Sequence, residues 1–522
     1  MQRPNKTNSS NADCRQSNSK IKSLAGLAIV VNDLKNQGKS IVHCHGVFDL
    51  IHLGHIRHFQ QAKKQGDVLI VTLTPDRYVN KGPGRPAYTE SLRAESLAAL
   101  EVIDFVAINE WPTAEETIRI LKPNVYAKGS DYARPEDDLT GKIAAEERAI
   151  LSVGGRIYFT DDITFSSSHL LNYYFPHYSS ETQIYLDSFR QRYSADDIIK
   201  LLKSLRGMRV LVLGDAIIDE YHFCKALGKS SKSASINAKY LHAEEYAGGV
   251  FAVANHIAGF CENVHLVTCV GAVAPQLEVL RRNIRSGITT QIFTRPDGPT
   301  TVKRRYVETF QYTKMFEVTF IEDRPLPEKV AEELNNHLIE ILPKYDLVIV
   351  ADFGHGLISQ DTIDLLNRSD RFLAVNSQTN SANSGYNVIT KYPRADYICV
   401  DQEEIRLAFQ DRFSPIARLV LRAAEEFNAS TVTVTTGQTG SITLHRGGDL
   451  FETPVFSKEV LDTTGAGDAY LAVTAPCAAA GHPPEIIGFV GNAVGALAIR
   501  TLGNKEWIEP TALFKYISAL LS

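Results

Sequence analysis

The sequence is short of the features that mark several classes of protein. Its seven cysteines, among 522 residues, are widely scattered and form no CxxC pair. Neither a disulfide framework nor a zinc module is therefore predicted, and a reducing cytoplasmic compartment is expected. The most apolar stretch, 469–480, contains Pro476 and falls short of the roughly 20 residues that a membrane-spanning helix needs. Residues 1–20 have no apolar core of the kind a signal peptide carries, so no membrane association is predicted.

The sequence also has no large excess of charge of one sign. Lysine and arginine number 55 and aspartate and glutamate number 60, which gives a formal net charge of −5. Such a balance provides no electrostatic footprint for nucleic acid or an anionic membrane, so neither is predicted as a partner. With 44% hydrophobic and 22% charged residues the chain is predicted to be globular, and its length indicates two or three domains.

Two successive alternations of strand-like and helical patterns run along the chain. The first begins at residue 41 with IVHCHG and the second at Met208 with MRVLVLGD. Repeated alternation of this kind predicts an α/β fold with a doubly wound parallel sheet in each of two domains. Two segments of the second domain, 234–246 and 288–320, instead show period-two runs and predict a small antiparallel β lid.

The lapses between these patterns predict the domain boundaries. Residues 172–193 are aromatic and polar without a clear period, and a helix follows with a capping-box start at Ser194 and Asp197 and an end at Gly207. The first 20 residues are rich in Asn and Ser, which is typical of disorder. The predicted organisation is a disordered tail at 1–24, a first domain at 25–172, a linker at 173–206 and a second domain at 207–522.

The string GVFDLIHLGH, residues 46–55, predicts the first site. A glycine directly follows a strand, and His52 and His55 open a helix three residues apart, which places both imidazoles on one face near the free backbone N–H groups. A histidine pair there can donate hydrogen bonds to phosphates as charge develops in a transition state. The alternative is that both are ordinary surface histidines, which the surrounding string makes the weaker interpretation.

The pattern GxFDxxHxGH resembles the HxGH cytidylyltransferase-like superfamily, and the resemblance covers residues 41–172. It implies a Rossmann-like nucleotidylyltransferase domain that joins a nucleoside triphosphate to a sugar or alcohol phosphate and releases pyrophosphate. Arg93 matches a helical arginine of that family. The implied catalytic residues are His52, His55 and Lys81, and the implied nucleotide-binding residues are Gly46, Phe48, Asp49, Arg85, Lys128, Asp131, Ser166, Ser167 and Ser168. Taken alone, Lys81 and Arg85 also fit a solvated loop, and the serines fit a plain helix cap.

The string DTTGAGDAY, residues 462–470, predicts the second site. Gly465 and Gly467 allow the backbone to approach an anion, and the start of the following helix supplies N–H donors. Asp468 stands where a carboxylate can take the proton of an attacking hydroxyl, which makes it the predicted general base. The alternative is a glycine-rich turn that only caps a helix.

The DTxGAGD string resembles the ribokinase-like PfkB sugar kinases, and other segments agree in order: GDAIIDEY, AGGVFAVAN, PTTVKRRYV and VTTGQTG. The resemblance implies a kinase that uses ATP and Mg²⁺. The implied substrate-binding residues are Asp219, Gly248, Gly249, Lys303, Arg305 and Asp352. The implied nucleotide-binding residues are Thr436, Gly437, Gly440, Gly465, Ala466, Gly467 and Asn492, and the implied metal-associated residues are Asp401 and Glu404. The basic strand that carries Lys303 and Arg305 also fits an exposed surface.

The chain departs from that family at several positions. Ala252 stands where a substrate-binding asparagine is usual, Asp401 replaces the Asn of NxxE, and His355 replaces the Lys of SDYxKG. The segment NSQTNSANSGYN replaces the family's DPKG. The identity of the sugar therefore does not carry over.

Taken together, the two halves resemble the bifunctional heptose 7-phosphate kinase/heptose 1-phosphate adenylyltransferase family of ADP-heptose synthesis, with the domain order reversed. The leading prediction is two-step synthesis of a nucleotide-activated sugar, with ATP or CTP as the nucleotide donor. One alternative is an active transferase joined to a non-catalytic sugar-phosphate-binding domain. Another is a transferase for a polyol phosphate such as glycerol phosphate, suggested by TGKIAAEERAI at 140–150. The partners expected are small molecules, and the kinase resemblance also allows a homodimer.

Overall fold

Two compact units make up the chain. The computed structural model describes residues 19–79, 86–129, 142–160, 178–310, 312–457 and 459–521. The first unit comprises residues 1–177, 514–520 and 522, and the second comprises residues 178–513 and 521. Each is described by itself below.

The first unit is built on a parallel sheet with the order β1-β4-β3-β2-β5-β6. Its strands are β1 (Ile21–Lys22), β2 (Ile41–Gly46), β3 (Val68–Leu73), β4 (Phe105–Ile108), β5 (Val125–Gly129) and β6 (Arg156–Thr160). Its helices are α1 (Leu24–Asn36), α2 (Leu53–Lys63), α3 (Glu90–Ala98), α4 (Glu115–Leu121) and α5 (Lys142–Ser152). The strands are apolar runs because both faces of the sheet are covered. The strand order reverses between β2 and β5, and ligands of such sheets bind at that switch point.

The amino-terminal edge of this sheet differs from the sequence prediction. Residues 19–24 were assigned to a disordered tail, but Ile21 and Lys22 pair with Val106 and Ala107 of β4. Ser23 then caps α1 by accepting a hydrogen bond from the backbone N–H of Gly26. The short apolar edge strand gains these backbone hydrogen bonds only from the folded sheet, which the local Asn/Ser-rich composition does not reveal.

The second unit contains a nine-stranded sheet with the order β11-β10-β7-β14-β15-β16-β17-β18-β19, parallel up to β17 and antiparallel beyond it. The strands of this sheet are β7 (Arg209–Gly214), β10 (Asn263–Val273), β11 (Thr289–Pro299), β14 (Leu347–Asp352), β15 (Phe372–Ser377), β16 (Tyr397–Asp401), β17 (Thr431–Thr435), β18 (Ser441–His445) and β19 (Leu450–Thr453). The helices are α6 (Ser180–Arg190), α7 (Ala195–Ser204), α8 (Val250–Ile257), α9 (Leu277–Arg282), α10 (Glu328–Ile341), α11 (Gln360–Arg368), α12 (Gln402–Phe409), α13 (Ile416–Glu426), α14 (Ala466–Ala479) and α15 (Pro484–Ala498), and α16 (Pro510–Leu521) is divided between the units. These sheets confirm the predicted fold class, two α/β domains.

A separate four-stranded sheet forms the predicted lid. It has the order β13-β12-β8-β9, with β8 (Ala216–Lys229), β9 (Ile236–Gly249), β12 (Thr301–Glu308) and β13 (Thr313–Phe320). The prediction for 288–320 was wrong in one part, because β11 lies in the large sheet, parallel to β10. Strand β12 is also parallel to β8, so the lid is not wholly antiparallel.

The segment predicted as a linker, 173–206, contains two helices of the second unit. Leu186 and Phe189 of α6 are fully buried, and the Phe189 ring stacks on Phe489 of α15 with centroids 4.3 Å apart. Helix α7 begins with the expected capping box between Ser194 and Asp197. The aromatic residues that obscured the helical period are the ones that pack, so this segment adds to the core of the second unit.

Among the described residues, no helix combines the length and the hydropathy that crossing a membrane requires.

Candidate active sites

The loop between β2 and α2 holds the first candidate site. Gly46 ends β2, and a Cβ there would lie 2.9 Å from the ring of Phe48, so only glycine lets that ring fold back over the strand end. Phe48 has a φ of 46°, in the left-handed region that non-glycine residues rarely adopt. Its ring meets His55 edge-on at 5.3 Å and packs against Phe59 at 5.0 Å. Phe48, which was predicted to bind nucleotide, is thus nearly buried, and its ring packs against the ring of His55.

The two motif histidines lie together at the start of α2. Their ring centroids are 3.9 Å apart with the planes tilted by 33°. His52 is the N-cap, because its Nδ1 accepts a hydrogen bond of 3.1 Å from the backbone N–H of Gly54. With Nδ1 acting as acceptor, the proton of the neutral ring is on Nε2, where it can be donated. The pair therefore presents imidazole donors beside the N-terminus of a helix, which is an environment that favours phosphate.

Arg93 holds in place the loops around this site. Its guanidinium is buried and donates to the carbonyls of Val47, Thr74 and Tyr88, and it forms an ion pair with Asp76 at 2.5 Å. The arginine therefore ties the β2–α2 loop to both ends of the connection between β3 and α3. Asp49, also buried, accepts a hydrogen bond from the backbone N–H of Tyr88, and it too holds the loop geometry.

Lys128 lies near the carboxyl end of β5, at the switch point of the sheet. Its ammonium forms an ion pair of 2.9 Å with Glu146 of α5, and both side chains are largely buried. Glu146 also accepts a hydrogen bond from the backbone N–H of Ala114. The predicted phosphate-binding lysine is thus held in place by a carboxylate that the sequence interpretation did not include.

Six predicted residues of the first site lie outside the described residues. They are Lys81, Arg85, Asp131, Ser166, Ser167 and Ser168.

In the second unit, Asp468 lies in the first turn of α14 and is almost fully buried. Its Oδ1 accepts a hydrogen bond of 2.7 Å from Nε2 of Gln378, which directly follows β15. Burial raises the pKa of Asp468 to about 7, with a further upward contribution from Asp219, while Gln378 and Lys303 lower it. A carboxyl that titrates near neutrality is suited to general base catalysis.

Asp219 of the lid is the centre of a second cluster. It forms an ion pair of 2.5 Å with Arg305 and accepts a hydrogen bond of 2.9 Å from Nδ2 of Asn504. Arg305 also pairs with Glu317 at 2.8 Å. Asp219 and Arg305 were both predicted to bind substrate. In the fold, the charge of Arg305 is already balanced by Asp219 and Glu317, so its main role is to hold the carboxylate of Asp219 in place.

Asn504 links this cluster to the glycine-rich loop. A Cβ on Gly248 would clash with Oδ2 of Asp219, and a Cβ on Gly465 would clash with Oδ1 of Asn504. The two glycines therefore let the side chain of Asn504 lie between Asp219 and the DTTGAGD segment. A Cβ on Gly467 would meet no atom within 4 Å, so that position faces open space at the start of α14. The sequence carried no motif for Asn504, which lies 36 residues beyond the predicted base.

Lys303 is the cation of this site that no ion pair occupies among the described residues. It lies on β12 directly beside Asp219 in the register of the lid sheet. Its charge lowers the pKa of both Asp468 and His355. The pKa of His355 falls to about 3, chiefly because the ring is buried, so the imidazole that replaces the family's lysine is neutral. In the described part of the chain, Lys303 is thus the cation available to meet an anionic group beside the base.

Asp352 is placed differently from the prediction. Its carboxylate is buried and pairs with Nζ of Lys391 at 2.5 Å, and it accepts a hydrogen bond from Tyr392. It therefore braces the segment after β15 instead of offering free oxygens to a sugar. Gly249, another residue predicted to bind substrate, ends β9 and is the N-cap of α8. Its φ is 57°, and a Cβ there would lie 2.5 Å from the carbonyl oxygen of Asp215.

The predicted nucleotide-binding turn follows β17. Thr436 donates its backbone N–H to the carbonyl of Gly440, which closes the turn, and Gly440 at a φ of 122° lies against the backbone of Thr453. Gly437 has a φ of 61°, and a Cβ there would meet no atom within 4 Å. Asn492 differs from the prediction, because its Nδ2 donates to Ser441 and to the carbonyl of Gly488 inside the core. Ala466 is the first residue of α14.

Asp401 and Glu404 form a reciprocal capping box at the start of α12. The backbone N–H of Glu404 donates to Asp401 at 2.7 Å, and that of Asp401 donates to Glu404 at 2.8 Å. Glu404 also accepts from Thr379, and burial together with Asp401 raises its pKa to about 8. In the described part of the chain, no three side chains of His, Cys, Asp or Glu gather as a metal cage.

The close approach of Gly248 to Asp219 gives a direct test of the sugar site. The variant Gly248→Ala should raise KM for the sugar about 10- to 100-fold, because the new methyl displaces a carboxylate that makes charge-assisted hydrogen bonds. Steady-state kinetics at varied sugar concentration measures this, and Gly207→Ala is the matched control, since a Cβ there meets no atom. An unchanged KM in Gly248→Ala would contradict the placement of Asp219 in the sugar site.

Comparison with known proteins agrees with two different units. The family model described as pfkB family carbohydrate kinase matches residues 208–511, more than half of the chain. The family model described as cytidylyltransferase-like matches residues 43–179.

Among curated proteins, the N-terminal part is similar to two bifunctional proteins named HldE. The one from Geobacter metallireducens is 45% identical over 143 residues, which is 27% of this chain and 28% of that protein. The one from Nitratiruptor sp. is 41% identical over 138 residues, 26% of this chain and 30% of that protein. The aligned part therefore spans less than a third of the length of these relatives.

Two solved structures are similar to about 60% of the chain. Phosphofructokinase-2 from Escherichia coli in complex with potassium has a TM-score of 0.48 and 14% identity, covering 60% of this chain and 99% of that one. Arabidopsis thaliana ribokinase complexed with ribose and ATP has a TM-score of 0.45 and 15% identity, with the same two coverages.

Proposed function

Because the chain belongs to the pfkB family of carbohydrate kinases, we propose that its second unit, which contains the matched residues 208–511, phosphorylates a sugar or sugar phosphate with ATP. The observation that carries the proposal is the position of Asp468. Its Oδ1 is held by Gln378, and among the described residues no hydrogen bond reaches its Oδ2. That oxygen lies at the N-terminus of α14, whose backbone N–H groups favour a phosphate.

The proposed reaction assigns one role to each group. Asp219 accepts hydrogen bonds from sugar hydroxyls, and Asp468 takes the proton of the hydroxyl that attacks the γ-phosphorus of ATP. A new oxygen–phosphorus bond forms as the bond to the β–γ bridging oxygen breaks and ADP leaves. Lys303 and the N–H groups after Gly465 meet the charge that develops on the transferred group. Thr436, Gly437 and Gly440 form the turn against which the nucleotide lies.

Magnesium is proposed as the accompanying ion. Mg²⁺ in kinases is usually held by one or two carboxylates together with substrate phosphates, and Asp401 with Glu404 fits that donor set, although both also cap α12. A carboxylate offers about four lone-pair sites, so the caps leave acceptor capacity. When bound, such an ion neutralises part of the phosphate charge.

For the first unit, we propose nucleotidyl transfer to a sugar phosphate. The support is the stacked pair His52 and His55 at the N-terminus of α2, at the switch point of a parallel sheet. An oxygen of the sugar phosphate attacks the α-phosphorus of ATP or CTP, and pyrophosphate leaves. Lys128, steered by Glu146, is a further cation for the phosphates, and Lys81 is proposed as a catalytic partner from the sequence resemblance.

The two reactions form a sequence when the kinase acts at the anomeric hydroxyl. The product is then a sugar 1-phosphate, the class of substrate that the transferase activates. The sequence resemblance to the heptose kinase/adenylyltransferase family of ADP-heptose synthesis supports a heptose as the sugar and ATP as the nucleotide donor. A polyol phosphate such as glycerol phosphate is the second candidate acceptor for the transferase, on the sequence TGKIAAEERAI alone.

One assay separates these possibilities. The purified full-length chain is incubated with ATP or CTP, Mg²⁺ and a panel of heptoses, hexoses, their phosphates and glycerol phosphate, and products are identified by mass spectrometry. We expect a phosphorylated sugar and a nucleotide-linked sugar from the same panel member. A nucleotide-linked product without any phosphorylated sugar would instead indicate that the second unit only binds sugar phosphate, and no product from any acceptor would overturn the proposal.

The exposed lid supports a homodimer. Phe316, Val318 and Phe320 are apolar, lie at alternate positions of β13 and are between 39% and 56% exposed. A second copy of this chain would cover such a face. Light scattering should give about twice the 57.8 kDa of one chain, and Val318→Asp should return a monomer. A monomeric wild type would contradict this.

The six cysteines described are free, which supports a cytoplasmic location.

A further inference from the structure

We propose that Gln378 is a positioning residue that orients the carboxylate of Asp468 for catalysis. The inference rests on the proposed kinase function of the second unit. Gln378 comes from NSQTNSANS, the segment that replaces the family's DPKG, so no motif predicted this role. Its side chain is the one hydrogen-bond donor that reaches Asp468 in the described part of the chain.

The backbone of Gln378 is held on both sides. Its N–H donates to the carbonyl of Asp352 at 2.8 Å, and its carbonyl accepts from Nδ2 of Asn387 at 3.0 Å. Asp352 is itself fixed by Lys391 and by Tyr392. Asp352, which was predicted to bind sugar, therefore has a structural role instead. It holds the backbone of Gln378, and Gln378 in turn holds the carboxylate of Asp468.

The chemistry of an amide gives this contact a direction. Nε2 of Gln378 can only donate, so it stabilises the charged carboxylate and leaves Oδ2 as the acceptor for a hydroxyl proton. The other ionisable groups around Asp468 are Asp219 from β8, Lys303 from β12, Glu404 from α12 and Cys399 from β16. Among these, Lys303 alone is a cation. Without the amide donor, burial and two neighbouring carboxyls would favour the protonated base.

Two substitutions at this position separate orientation from charge. Gln378→Met keeps the length of the side chain and removes the donor, so kcat for sugar phosphorylation should fall about 10- to 100-fold, the range for a lost hydrogen bond to a charged group, with KM for ATP unchanged. Gln378→Glu places a second carboxyl against the first, so the acid limb of the kcat/KM profile should move to higher pH. Gln360→Met is the matched control, since Gln360 is exposed and its Nε2 donates a hydrogen bond to Asp364 on the same helix.

The outcomes distinguish this inference from the proposed function. If Asp468→Asn retains full kinase activity, the proposed function fails whatever Gln378 does. If Asp468→Asn is inactive but Gln378→Met keeps the wild-type kcat and pH profile, the positioning role is overturned.

A titration that does not depend on activity completes the test. The full-length chain is labelled with ¹³C at aspartate carboxyls, and the Asp468 signal is identified by its loss in Asp468→Asn. Its midpoint should lie at higher pH in Gln378→Met than in the wild type. Equal midpoints would overturn the inference even if no sugar substrate were found.

Discussion

Replacing Asp468 by asparagine should lower the rate of sugar phosphorylation by about two to four orders of magnitude, the usual contribution of a general base, and leave nucleotidyl transfer unchanged. Asparagine has nearly the same shape but cannot accept the proton of the attacking hydroxyl. The measurement is ADP formation in the presence of the sugar, with pyrophosphate release followed in parallel on the same protein.

The pH dependence of the wild type provides the companion result. Burial raises the pKa of Asp468 to about 7, so the base is protonated below that pH and charged above it. The value of kcat/KM should therefore fall about tenfold for each pH unit well below 7 and level off above it. The control is Asp364→Asn, which alters a partly exposed carboxylate on α11. A wild-type profile flat from pH 5 to 8, or an active Asp468→Asn variant, would rule out this base.

Replacing either histidine of the first site should have the second large effect. His52→Asn keeps a good N-cap for α2, because asparagine caps helices as well as any residue, but removes the imidazole. His55→Asn likewise removes the ring that stacks on His52. Each change should lower pyrophosphate release about 100- to 1000-fold, the loss typical of one donor to a developing charge.

The design separates chemistry from folding. His58→Asn is the matched control, since His58 lies one turn further along α2 and contacts Thr160 of β6. Sugar phosphorylation should be unaffected in all three variants. Normal pyrophosphate release by both His52→Asn and His55→Asn would exclude the histidine pair from the transfer step, and equal losses in His58→Asn would indicate a damaged helix.

The parts of the molecule that the sequence predicted well are encoded in short contiguous strings. In GVFDLIHLGH and DTTGAGD, the glycine, histidine and aspartate residues lie at fixed spacings along one loop and the start of the helix that follows it. Local backbone geometry then brings His52 next to His55 and puts Asp468 in the first turn of α14. The alternation of apolar strands and helices likewise gave the parallel sheets, since that period is a local property.

The partners of those residues could not be predicted in the same way. Gln378, Glu146 and Asn504 meet Asp468, Lys128 and Asp219 only because helices, strands and loops that are distant in sequence pack together in the fold. No spacing rule connects positions 219 and 504.

Assigning roles by residue type also overestimated the number of polar side chains that are available to bind a ligand. Arg305, Asp352 and Asn492 have the chemistry of binding residues, yet in the fold they pair with other protein groups. The helices in residues 180–204 were not predicted for a related reason, because Phe189 packs against Phe489 of α15, which comes 300 residues later.

The capping box at the start of α12 also explains how this chain tolerates its departure from the NxxE pattern. Asparagine and aspartate are equally good at the N-cap, so exchanging one for the other at position 401 leaves the stability of the helix almost untouched. The position can therefore drift between the two residues during evolution at little cost to folding, while the charge offered to a ligand changes by a full unit. A substitution between aspartate and asparagine at residue 401 can therefore change the affinity for a metal ion or a nucleotide without a stability penalty.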